Sequence, residues 1–177
     1  MKYEITNIEH PELKGLFRVR ALTSFGNVKK GDLGGYIQCH SNLSRIGNCW
    51  VFDNACIYEN ARISENAEIY DNAIICDGAL VMDYAKVYGN AQALHRSVIS
   101  EYAKVYGNSK IWGDLTNDHF AWVRGRCEIH GNSEILCNKI FEFFNLIDVT
   151  ITKENFLRFK KLEKWFPQFS IKLKTTI

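Results

Sequence analysis

Five histidines, His10, His40, His95, His119 and His130, are the side chains best suited to acid–base work near neutral pH. His95 is the leading candidate: Asp77 precedes it by 18 residues and Arg96 follows it, and an aspartate brought beside a histidine can orient it as a general base. The competing reading is an ordinary surface histidine. Cys39, Cys49, Cys56, Cys76, Cys127 and Cys137 contain no CxxC pair and no metal-finger spacing, so free thiols and no metal centre are expected.

Whether residues 18 apart meet depends on a repeat of six. From Leu43, every sixth residue through Ser133 is small or apolar, with a run of alanines from Ala55 to Ala91. Two places later, as at Ile57, Ile63, Ile69 and Ile75, the residue is Ile or Val apart from Arg45, Ala93 and Asn117. A period of 3.6 cannot hold such a repeat on one face, whereas extended hexads can, with a small and a β-branched residue inward and a corner between strands. Three hexads make an 18-residue triangular coil, and coils stack as parallel strands about 4.8 Å apart. Asn48, Asn54, Asn60, Asn66, Asn72, Asn90, Asn108 and Asn132 precede the small position, and their tolerance of positive φ suits the corners. No insertion is apparent from Leu43 to Phe141.

The pattern, exemplified by "NARISENAEIYDNA" (60–73), resembles the hexapeptide-repeat proteins, the left-handed parallel β-helix family best known from acyltransferases. The resemblance implies an all-β fold of about five triangular coils over 43–141, preceded by an N-terminal β capping module (1–42) and followed by a C-terminal cap with an amphipathic helix (142–177). A narrower resemblance, carried by "LFRVRALTSFGNVKKGDLGGYI" (16–37) and "NLSRIGNCWVFDNA" (42–55), is to uncharacterised phage and prophage hexapeptide-repeat proteins, and implies a mobile-element origin without an activity. An acyltransferase of this family would use acyl-CoA, with His95 or His119 as base in a groove between protomers beside an inserted loop. The lack of such a loop counts against that activity.

Stacking by 18 also generates outward columns. Phe52, Tyr70, Tyr88 and Tyr106 form one, followed by Arg124; such a ladder of rings needs a cover, either within a homo-oligomer (dimer or trimer) or from a partner. In another, Asn48 and Asn66 give way to Tyr84, Tyr102 and Phe120, each preceded by Asp83, Glu101 or His119. An aromatic centre with a charged rim suits a protein interface. Asp53, Glu59, Glu65, Asp71, Asp77 and Asp83 share one hexad position and form vertical acidic rows, read either as solubility features or as an acidic surface competing with nucleic acid.

The termini are read as caps. Gly34 and Gly35 are expected to supply backbone freedom where the chain enters the first coil, and "KKGDLGG" matches no phosphate-loop spacing. Residues 152–166, "TKENFLRFKKLEKWF", form an amphipathic helix pattern ended by Pro167, with Lys160, Lys161 and Lys164 off its apolar face. Net charge is +3 over 1–47, −5 over 48–101, −1 over 102–148 and +5 over 149–177, so contact of the basic tail with nucleic acid stays open. No apolar run suits a signal peptide or a membrane span, which places the chain in the cytoplasm, the host's if it is phage-encoded. The leading expectation is a non-enzymatic binding module that docks on a host or phage protein, for instance as an inhibitor of a bacterial defence system, with no cofactor. The alternatives are the acyl-CoA-dependent transferase and a structural virion or assembly component.

Overall fold

The computed structural model describes residues 1–112, 121–123, 128–131, 133–137, 150–151 and 169–173. These form an all-β parallel solenoid of about four turns. The helix expected over 152–166 lies outside the described residues, as do His119, Phe120 and Arg124.

The chain opens with β1 (Tyr3–Glu9), β2 (Phe17–Ala21) and β3 (Leu33–Ile37), joined antiparallel in that order. The turns follow as β4 (Trp50–Val51), β5 (Cys56–Ile57) and β6 (Arg62–Ile63), then β7 (Glu68–Ile69), β8 (Ile74–Ile75) and β9 (Leu80–Val81). Next come β10 (Lys86–Val87), β11 (Gln92–Leu94) and β12 (Ser97–Ile99), and then β13 (Lys104–Val105), β14 (Lys110–Trp112) and β15 (Ala121–Val123). The chain continues through β16 (Glu128–Ile129), β17 (Ser133–Cys137), β18 (Thr150–Ile151) and β19 (Phe169–Leu173). Every third strand joins one of three sheets: β5-β8-β11-β14-β17, β4-β7-β10-β13-β16-β18 and β6-β9-β12-β15. β19 closes the first sheet antiparallel to β17.

The hexad accounts for the core. Ala55 through Ala91 and Ala103 are sealed from solvent, as are Ile57, Ile69, Ile75, Val81, Val87, Val105 and Ile111. Burying each Ile or Val side chain contributes roughly 1.5–3 kcal/mol, and the small residue beside it lets adjoining strands meet at a narrow corner. Ser97 and Ser109 occupy the same position and are equally buried.

The N-terminal strands share this core, since β3 pairs with β2 on one side and with β5 on the other. Trp50, on the first regular strand, is buried beneath Tyr3 and Phe25, whose rings meet it edge-on at 6.2 and 5.4 Å. Asn42 supplies what the missing lower turn would have given. Its Nδ2 donates to the carbonyls of Glu59 and Ala61, both at 2.9 Å, and its Oδ1 accepts the N–H of Cys39 at 2.8 Å.

Gly34 and Gly35 provide space rather than backbone freedom, because neither has a positive φ. A Cβ on Gly35 would lie 2.5 Å from the carbonyl oxygen of Ala55, and one on Gly34 would lie 2.5 Å from that of Val51.

The left-handed conformation at the corners belongs to the acidic residue before the position that most often holds Asn, not to Asn itself. Asp53, Glu59, Glu65, Asp71, Asp77, Asp83 and Glu101 all have φ between 49° and 59°. Their carboxylates have a structural use: Asp53 accepts the N–H of Asp71, Glu59 that of Asp77, Glu65 that of Asp83, Asp71 that of Gly89 and Asp83 that of Glu101, at 2.8–3.1 Å. Each acid therefore ties its corner to the corner one turn on. The asparagines form the adjoining ladder, with Asn48 on Asn66 and Asn90 on Asn108, both at 3.1 Å.

The turns are not uniform. Most pairs are 18 residues apart, such as Cys56 with Ile74 and Lys86 with Lys104. Between β12 and β15 the offset is 24, with Ser97 opposite Ala121, and it stays 24 for Lys104 with Glu128 and Lys110 with Glu134. One extra hexad therefore enters between Trp112 and Ala121, against the unbroken register read from the sequence. The regular offset of 18 also starts later than expected, because Leu43 bridges Ile63 at an offset of 20.

Candidate functional site

Two groups of side chains stand out on the outer surface. The first is the corner column in which Asn48 and Asn66 are followed by Tyr84 and Tyr102. The two tyrosine rings stack with centroids 5.2 Å apart and planes 6° from parallel, and they are 53% and 55% exposed. The backbone beneath them is that of the other corners: Tyr84 donates its N–H to the Glu101 carbonyl at 2.8 Å, as Asn66 does to Asp83 at 2.9 Å. The rings thus replace an amide ladder without altering the chain path.

Acids flank the stack. Asp83 precedes Tyr84 and Glu101 precedes Tyr102, with Asp83 Oδ2 accepting the Glu101 N–H at 2.9 Å. Below them, hydrogen bonding to the Asp83 side chain, followed by its charge, raises the Glu65 carboxyl above the ordinary carboxylate range. Past Tyr102 the pairing offset of this sheet is 24, with Lys104 opposite Glu128, and the expected continuation of the column at Phe120 lies outside the described residues.

The longer aromatic column on the neighbouring face is stacked in two groups. Phe52 lies on Tyr70 at 4.5 Å, and Tyr88 lies on Tyr106 at 4.7 Å with planes 3° apart. His130 follows Tyr106 at 5.1 Å, where the regular spacing had put Arg124. Charged pairs lace this face, with Lys86 against Glu68 at 2.6 Å and Lys104 against Glu128 at 2.7 Å. Burial holds the Tyr70, Tyr88 and Tyr106 hydroxyls above the usual tyrosine range, so all three are neutral donors at physiological pH.

The second group surrounds His95. Its Nδ1 lies 3.3 Å from Asp77 Oδ2, the pairing expected from the 18-residue spacing. Its ring also sits 5.3 Å from that of Trp112, at the end of β14 where the extra hexad begins. His95 and Arg96 form a two-residue turn with φ of 47° and 56°, and Arg96 donates its N–H back to the Asp77 carbonyl at 3.1 Å. Cys76 Sγ lies 3.4 Å from Asp77 Oδ2 and, like Cys39, Cys49 and Cys56, is a free thiol. Glu59 lies one turn below Asp77, whose hydrogen-bonding side chain holds it above the ordinary carboxylate range. Sequence reading placed Glu59 and Asp77 among the acids and set Cys76 aside. The offsets of 18 from Glu59 to Asp77 and from Asp77 to His95 are the signal that joins these three, and Cys76 comes with Asp77 as its neighbour.

These features define a parallel β-solenoid with an exposed aromatic corner and a separate corner rich in ionisable groups. No protein-family model matches the chain, and no curated protein is significantly similar to it. Among the described residues, no helix is long and apolar enough to cross a membrane.

Proposed function

We propose that the chain is a non-enzymatic protein-binding module of the left-handed hexapeptide-repeat class, of phage or mobile-element origin, acting in the cytoplasm. The carrying observation is the Tyr84–Tyr102 stack, two large rings more than half exposed at a position where the repeat otherwise uses Asn. Replacing the hydrogen-bonded Asn ladder with exposed rings on consecutive turns is a local cost that a contact offsets, and rings framed by Asp83 and Glu101 suit a partner with an apolar pocket rimmed by Lys or Arg. A bacterial defence protein is the partner class that the phage-type opening suggests. The Phe52–Tyr70 and Tyr88–Tyr106 stacks supply a second face, suited to homo-oligomer contact.

The test is affinity capture of the tagged chain from nuclease-treated bacterial lysate, run beside the Tyr84→Asn/Tyr102→Asn double variant. A stoichiometric protein present with the wild type and lost with a variant of unchanged melting temperature supports the reading. Equal capture by both forms, or no stoichiometric protein, sinks it.

A second reading, acyl transfer from acyl-CoA with His95 as base, is favoured by the His95–Asp77 approach and by the extra hexad beginning beside Trp112. That hexad removes the objection that the coils lack an insertion. Retention of coenzyme A by the purified chain distinguishes this reading from the first.

A further inference from the structure

Two nucleophilic side chains are sealed together where the N-terminal strands meet the first turn: Lys2 is 8% exposed and Cys49 is fully buried. Lys2 Nζ lies 3.5 Å from Cys49 Sγ, donates to the Cys49 and Ser44 carbonyls at 2.8 and 3.3 Å, and stands 4.4 Å from the centre of the Phe25 ring. The other described thiols contact oxygen: Cys39 meets the Ser41 hydroxyl, Cys56 the Asn54 carbonyl and Cys76 the Asp77 carboxylate. Among the described residues, Cys49 is the thiol held against an amine. The flexible four-carbon stem of lysine lets that amine advance onto the sulfur while the backbone stays in place.

The cover over the sulfur is the least regular part of the turns. Leu43 bridges Ile63 at an offset of 20, whereas Trp50 pairs with Glu68 at 18, so two extra residues are accommodated between them. The backbone bonds to the turn above are those of Ser44 N–H to Ile63 and Cys49 N–H to Glu65, and Ile46 between them is 82% exposed. Cys49 Sγ lies 3.6 Å from the Ser44 carbonyl oxygen and 3.9 Å from that of Ile46, directly beneath this segment. A short stretch with few backbone bonds and an exposed apolar side chain opens locally at low cost, and opening here admits a small solute to the thiol.

We propose that Lys2 and Cys49 form an oxidant-driven covalent crosslink, an S–N bond that pins the N-terminal strands to the first turn in response to a hydroperoxide. The Cys49 sulfur attacks the O–O bond of the peroxide and takes one oxygen to become S–OH, while the other oxygen leaves as water. The neutral Lys2 amine then attacks that sulfur: an N–S bond forms, the S–O bond breaks, and the hydroxyl leaves with an amine proton as a second water. Sulfur is oxidised by two electrons, and one peroxide is reduced to two waters. Burial pushes the Lys2 amine below the ordinary lysine range, toward the neutral form that the second step uses. Burial also raises the Cys49 thiol, so the closed site keeps it protonated and the first step waits on local opening. The pair is separate from the Tyr84–Tyr102 corner, and its failure leaves the binding-module reading untouched.

The experiment treats the purified full chain with hydrogen peroxide, then digests it with trypsin without reductant for mass spectrometry. The expected product joins residues 1–14 to residues 46–62, is about two mass units lighter than the sum of the two peptides, fragments with the bond on Cys49 rather than Cys56, and is released by dithiothreitol. The crosslinked chain should melt at a higher temperature, and dithiothreitol should return it to the starting value. Lys2→Arg keeps a cation that can donate to the same carbonyls; it should give no crosslink and should leave a Cys49 sulfenic acid that dimedone labels. Recovery of unbridged Cys49 at a peroxide dose that oxidises the exposed Cys39 overturns the proposal from the wild-type chain alone. A bond from Cys49 to any residue other than Lys2 overturns it equally.

Discussion

The carboxylate of Asp71 accepts the backbone N–H of Gly89 at 2.8 Å, joining two corners 18 residues apart. This gives the acidic row a purpose that charge alone did not suggest. Left-handed corners direct N–H groups along the stack, and a short carboxylate one turn below is well placed to accept them. Asp71→Ala removes the acceptor and leaves alanine at a φ of 55°, so a loss of about 1–2 kcal/mol is expected in denaturant melts. Asp71→Asn keeps an acceptor and tolerates that φ, and it should recover most of the loss.

Gly35 sets the junction between the cap and the first turn. Its missing Cβ would stand 2.5 Å from the Ala55 carbonyl oxygen and 2.6 Å from Val51 Cγ1. Backbone on one side and core on the other leave nothing flexible to yield. Gly35→Ala is expected to cost about 3 kcal/mol or more, measured as a lowered denaturation midpoint with unchanged slope. Leu33→Ala, two positions earlier and exposed, should change stability far less.

Acid titration should carry the mark of the stacked carboxyls. Glu59 is raised by its hydrogen bond to Asp77, and Glu65 by its hydrogen bond to Asp83. For both, the folded chain binds protons more readily than the unfolded one. Their contribution is therefore fully present below the ordinary carboxylate range and is lost as pH rises through the elevated folded values. Glu128, held low first by its hydrogen bond to Lys104, acts in the opposite sense: its contribution is present above the ordinary range and is lost as pH falls. Asp77→Asn removes the charge beside Glu59 and should flatten the Glu59 part of the first effect, leaving the Glu65 and Glu128 parts in place, which melting temperatures collected across the carboxylate range would reveal. An unchanged profile in that variant would contradict the assignment.

The 24-residue turn makes a prediction about length. Deleting residues 114–119 removes six and returns the offset to 18, leaving Val123 and Ile129 in their inward positions. A cooperative thermal melt should survive. Deleting residues 115–117 instead shifts the phase by half a hexad and turns inward residues onto corners, so that variant should lose its cooperative transition.

The inward alternation of Ala with Ile or Val, the three-sheet stacking and the His95–Asp77 approach were legible in the sequence, because a strict period of six determines which residues share a face and which meet one turn later. Three things were decided only in the folded chain. The extra hexad was invisible to periodicity because six added to 18 preserves the phase. The left-handed residue proved to be the acid rather than the Asn after it, since only the next turn supplies the N–H that the carboxylate accepts. Gly35 was read as supplying backbone freedom at the entry, because the Ala55 carbonyl that excludes its side chain is 20 positions away in sequence and adjacent only after the first turn has closed.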